Sequence, residues 1–141
     1  MTSRLFSEDW AVALSGALRV SDAFRRAART WEGAVVLDWS DAPPSHAEGS
    51  ACGVYLDLHR GDCRASRMAS ATDYEAAQYV LSADLESWNA MLQGRLAPTT
   101  ALLFGRMKLK KGSVMALMPH VGMATELIRV AQGLGDRAPH P

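Results

Sequence analysis

Few residues in this chain could do covalent chemistry, and they gather at one point. His59, Asp62 and Cys63 fall within five consecutive positions. A thiol beside an imidazole base could act as a nucleophile, and Cys52 could join them around a metal. The elements that must position them argue otherwise. Cys52, Val54, Leu56 and Leu58 alternate with Gly53, Tyr55, Asp57 and His59, which predicts a half-buried strand. Arg60-Gly61 predicts a hairpin turn, and Cys63 to Met68 a returning strand. In that register Cys63 faces Leu58 on the apolar side while His59 points to the other face. The spacing also matches no common zinc pattern. Reduced, buried cysteines are the plainer reading, with a minor thiol-dependent enzyme at Cys63 and His59 as an alternative. There is no nucleophile elbow, phosphate loop, dinucleotide fingerprint or zincin motif. Asp38 and Asp57 lie in strands without a partner carboxylate. No catalytic residue, metal or cofactor is therefore assigned.

Two other groups invite a binding role. Five of the seven methionines lie between Met91 and Met123. Methionine suits surfaces that accept varied apolar partners, and it equally fills gaps in an ordinary core. The pattern alone favours the core. All three lysines fall in Arg106-Met107-Lys108-Leu109-Lys110-Lys111, a strand whose Arg106, Lys108 and Lys110 lie on one side and whose Met107 and Leu109 lie on the other. These cations suit a transient contact with anionic membrane, or the guarding of a sheet edge.

The remaining elements read in order. Ser7 caps a helix from about Glu8 to Val20, and Ser21 opens a second across Asp22 to Thr30. Ala34 to Trp39 is a strand, and Ser40 to Ser50, with Pro43, Pro44 and Gly49, a surface loop. Tyr79-Val80-Leu81 starts another strand. Ser82 or Asp84 then caps a helix that carries Leu85, Trp88 and Leu92 on one face and ends at Gly94. Pro98 begins a short helix that Gly105 ends. The last helix runs from about Ser113 to Gln132, kinked or broken by Pro119 near Met118. Hairpin-linked strands and segregated helices define an α+β domain with one mostly antiparallel, five-stranded sheet and about five helices.

The stretch from Tyr79 to Gly112 is the most specific text in the chain. Leu92-Gln93-Gly94-Arg95-Leu96-Ala97-Pro98 and Gly105-Arg106-Met107-Lys108-Leu109-Lys110-Lys111-Gly112 resemble the signature of the sterol carrier protein type 2 family, Leu-x-Gly-x-Leu-x-Pro followed by Gly-Lys-Leu-Lys-Ile-x-Gly. The resemblance is strong from about Tyr79 to Leu127, moderate over the hairpin and weak in the first 30 residues. It implies a small lipid-binding domain of bacterial style, with an apolar cavity between sheet and helices. It also reverses the reading of the methionines toward cavity lining. The implied function is non-covalent binding, and transfer or presentation, of a fatty acid, fatty acyl-CoA, phospholipid or sterol. The implied lining is Trp88, Leu92, Leu103, Phe104, Met107, Leu109, Met115, Met118 and Leu127. A collapsed cavity used as a protein-interaction face, with a homodimer as one form, is the alternative.

Bulk properties set the frame. The chain has 141 residues, matching one domain over residues 1–134 and a flexible tail over 135–141. Acidic and basic residues balance at 15 each, which argues against a general nucleic-acid binder. No run of 18 or more apolar residues is present, and Ser7, Glu8 and Asp9 interrupt any apolar stretch a signal peptide would need. With two cysteines only, the expectation is a cytoplasmic protein without a disulfide framework.

Overall fold

The computed structural model describes residues 6–42 and 52–137, with side chains through Leu134. Most of the loop expected over Ser40 to Ser50 lies outside the described residues. Helix α1, Glu8–Val20, starts where Ser7 Oγ accepts the Trp10 amide at 3.2 Å. Helix α2, Asp22–Ala27, starts the same way at Ser21 and stops three residues before the expected Thr30. Strands β1 (Glu32–Trp39), β2 (Gly53–His59) and β3 (Asp62–Met68) follow. The β2–β3 hairpin turns through Arg60 at φ 50° and Gly61 at φ 89°. Both central residues thus take the left-handed backbone that a two-residue hairpin requires. Leu58 pairs with Cys63, as the sequence predicts.

A short helix that the sequence reading did not predict, α3 (Ala71–Ala76), links β3 to β4 (Tyr79–Ala83). The chain then forms α4 (Leu85–Leu92), α5 (Pro98–Leu103) and β5 (Met107–Lys111). Asp84, not Ser82, caps α4. The last helical stretch is broken as Pro119 requires. It divides into α6 (Val114–Leu117), a 3-10 turn over Met118–His120, and α7 (Val121–Arg137). Helix α7 runs to Arg137, three residues into the stretch expected as a tail from residue 135.

The sheet order is β3-β2-β1-β4-β5, with β1 and β4 parallel and every other pair antiparallel. The central strand β1 is buried on both faces. Val35 and Leu37 join the main core beneath the helices, with Leu14, Phe24, Leu56, Leu81 and Trp88. Val36 and Val80 form a small second cluster with Tyr74 of α3 on the opposite face. By length and composition, Val114–Leu134 is apolar enough to span a membrane. In the fold, its Leu117, Met123, Leu127, Ile128 and Ala131 are buried in the main core.

Helix α3 is held by polar contacts. Ser70 and Asp73 form a reciprocal cap, and Arg67 donates two hydrogen bonds to the Asp73 carboxylate at 3.2 and 2.8 Å. The guanidinium holds the Asp73 carboxyl below its ordinary range. A depressed folded-state pKa gives stability that is present above the unfolded value and lost as pH falls through the folded one. Asp73→Asn is therefore expected to cost about 1 kcal/mol at neutral pH, given a half-exposed guanidinium, and progressively less below about pH 4. Urea titrations across that range check it; a pH-independent difference would contradict the ion-pair account.

Candidate ligand-binding site

An apolar cavity lies between the sheet and the helices. Its floor is Val35 and Leu37 of β1 with Tyr79 and Leu81 of β4, and its edge is Met107 of β5. Trp88 of α4 and Pro98 of α5 close one side. Leu117 of α6 and Met123, Ala124, Leu127 and Ile128 of α7 close the top. Its free volume is about 30 Å³ and no polar atom faces it. Nothing in this wall could hold a charge or a metal. What it can do is take apolar surface out of water.

A second space borders the first. A groove of about 270 Å³ runs between α5, β5 and α6, walled by Leu102, Leu103, Leu109, Val114, Met118 and Val121, with Lys108 at its rim. Met107 belongs to both walls and stands between them. The α6 and 3-10 segment also serves both. It gives Leu117 to the cavity, and Val114 and Met118 to the groove.

Polar contacts fix this frame from outside. The Trp88 indole N–H donates to the Asp38 carbonyl at 2.9 Å. The buried Asp38 carboxylate accepts from Tyr74 at 2.5 Å and Ser82 at 2.7 Å, and Lys110 Nζ stands 3.7 Å away. Burial first, then the hydrogen bond to Asp38 and its charge, push the Tyr74 phenol far above its ordinary pKa, so it stays a donor. Trp31 packs against Tyr79 with the rings tilted by 54° and their centres 4.9 Å apart, and lies edge-to-face with His120 at 4.8 Å. That contact pins the 3-10 turn to the end of the sheet.

The predicted lining residues divide by position. Trp88, Met107 and Leu127 line the cavity, while Leu103, Leu109 and Met118 line the groove. Leu92 packs half-buried against the core. Phe104 and Met115 are 79% and 82% exposed and belong to neither wall. Val35, Leu37, Leu81, Leu117, Met123 and Ile128 were not predicted as lining. Their signal was the apolar character of β1 and β4 and the stripe of the last helix.

The alternative centre at the hairpin tip looks different. Cys63 is fully buried, and burial raises its thiol pKa, away from the thiolate a nucleophile needs. His59 instead lies 3.8 Å from Glu32 at the surface. Cys52 is also buried and free, its pKa raised by burial and by Asp38. Among the described residues no three His, Cys, Asp or Glu side chains gather as metal ligands.

A five-stranded sheet carrying a wholly apolar cavity under its helices defines an α+β domain with a buried apolar space and no polar site chemistry in its wall. Comparison with known proteins agrees. The SCP-2 sterol transfer family model matches residues 14–122, and the chain belongs to that family. A crystal structure of sterol carrier protein 2 is similar at 39% identity and TM-score 0.81, covering 92% of this chain and 98% of that one. The solution structure of a conserved hypothetical protein from Thermus thermophilus is similar at 38% identity and TM-score 0.81, covering 100% of this chain and 95% of that one. Sterol carrier protein 2 from Yarrowia lipolytica, in its apo form, shares the fold at 14% identity and TM-score 0.58, over 86% of this chain and 88% of that one. No curated protein matches the chain. Family and fold together imply lipid binding or transfer.

Proposed function

We propose that this chain binds one long apolar ligand non-covalently and carries or presents it. The ligand classes are fatty acid, fatty acyl-CoA, phospholipid and sterol. The observation that carries the reading is the pair of adjoining apolar spaces separated by Met107 and roofed by one short segment. The closed cavity is about a tenth of what a ligand needs, since small-molecule sites run from roughly 300 to 1,000 Å³. Joined to the groove, it reaches the lower end of that range. Burying ten methylenes at about 0.8 kcal/mol each gives roughly 8 kcal/mol before ordering costs, enough for micromolar binding. Binding of this kind requires no bond to form or break. Two buried, unpaired cysteines suit a reducing cytoplasm.

Native mass spectrometry of freshly purified protein, followed by solvent extraction, tests this. The expected result is an acyl or sterol species released by organic solvent. A clean unliganded mass, with no later displacement of a fluorescent fatty acid, would reject the reading and favour an interaction face of the same fold.

A further inference from the structure

The lip of the groove carries an unusual surface. Leu103, Phe104 and Met115 are 77%, 79% and 82% exposed, and Val114 and Met118 are about half exposed. These five, from the α5–β5 corner and the α6 turn, are most of the large apolar side chains left exposed among the described residues. Contiguous exposed apolar side chains mark an interaction site more often than scattered ones do.

Charge says what they meet. Residues 87–125 contain no Asp or Glu, yet carry Arg95, Arg106, Lys108, Lys110 and Lys111. In a chain whose formal charge is zero, this segment is locally positive. Lys110 stands 3.7 Å from the Asp38 carboxylate, and Lys111 donates to the carbonyls of Tyr74 and Glu75. That leaves Arg95, Arg106 and Lys108 as its cations without an ion pair among the described residues. Lys108 lies at the groove rim and has no ion-pair partner among the described residues. Two copies meeting lip to lip would bring like charges together, whereas an anionic bilayer offers both apolar depth and negative headgroups.

We propose that this lip docks on an anionic lipid bilayer. Leu103, Phe104 and Met115 enter the acyl boundary while Lys108 reaches back to headgroup phosphates. Arg106, whose Nε donates to Ser87 Oγ at 3.1 Å, adds positive charge behind it. The inference rests on the lipid-carrier reading, because it turns the groove mouth toward the membrane from which an apolar ligand would come.

The test is co-sedimentation with phosphatidylcholine vesicles, with and without phosphatidylglycerol. The wild type is expected to bind the anionic vesicles at least about tenfold more tightly, and to release as salt rises. F104D/M115D, at two exposed positions that line neither the cavity nor the groove, should lose roughly tenfold or more of that binding. It should keep its melting temperature, because both side chains already stand in solvent. A dye on Phe104→Cys, which labels selectively because Cys52 and Cys63 are buried, should shift to the blue on anionic vesicles only. Equal vesicle binding by wild type and double variant, or an unchanged dye spectrum, would overturn the proposal. So would a wild-type dimer that the double variant converts to monomer without vesicle binding, which would make a second copy the occupant. Fatty-acid displacement measured without vesicles keeps the two readings apart. It should survive in the double variant, and its absence in the wild type would reject the cavity itself.

Discussion

Trp88→Ala is expected to cost about 3–5 kcal/mol of folding stability, near the top of the range for a single side chain. The indole is 2% exposed and packs edge-on against Phe6, with ring centres 5.8 Å apart. Its loss would leave a large void beside the existing cavity, and the sheet beneath is too well paired to collapse into it. A second cost comes from the Asp38 carbonyl, which accepts the indole N–H and would lose its partner. That carbonyl belongs to the residue whose carboxylate holds Tyr74 and Ser82 on the other face of the sheet. Trp88 therefore links the cavity wall to the polar clamp behind it. Trp88→Phe separates the two parts. It keeps an aromatic wall and removes the N–H, so it should cost about 1–3 kcal/mol and retain fatty-acid displacement. Urea unfolding midpoints of the two variants give the comparison. A loss below about 1 kcal/mol for alanine would mean that the wall is mobile and the cavity not preformed.

Much of this was legible in the sequence where local pattern and long-range pairing agree. The β2–β3 hairpin was, because strict alternation in Cys52 to Leu58 and a turn at Arg60-Gly61 admit one register. The break at Pro119 was, because a ring without an amide proton cannot continue a helix. Helix α3 was missed because six residues, Ala71–Ala76, are too short to show an apolar stripe. Its signal was the capping pair Ser70 and Asp73. The parallel pairing of β1 with β4 has no local signature, since it is set by the crossover through α3. The lining was legible on long elements and ambiguous on short ones. Trp88 and Leu127 sit on helices long enough to define an inner face. Phe104 and Met115 lie at or beside turns of four to six residues, where being apolar does not say which way the side chain points. Val35 and Leu37 were overlooked because β1 is buried on both faces, so its pattern carries no parity to choose a side.

The largest functional effect is expected from locking the roof. A cavity of about 30 Å³ has room for about one methylene-sized group, so ligand can neither enter nor leave while α6 and the 3-10 turn stay down. The groove side of that segment faces α5 through Met118 and Leu103, which both line the same space. Leu103→Cys with Met118→Cys, joined by a cleavable bifunctional thiol reagent, should tie the segment to α5. The native thiols are buried and should not compete for reagent. Exchange of a fluorescent fatty acid is expected to slow by at least about tenfold in the linked protein, and to recover when a reductant cuts the linker. Recovery matters, because a slow rate that persists after cleavage would report damage to the fold. Unlinked, the same double variant sets the reference rate, since both substitutions lie in the groove wall while the loss of their exposed side chains opens no core void. Unchanged exchange in the linked protein would show that ligand passes elsewhere, beneath α4 or between α1 and α7. The hinge at Pro119 would then be a packing feature with no part in uptake.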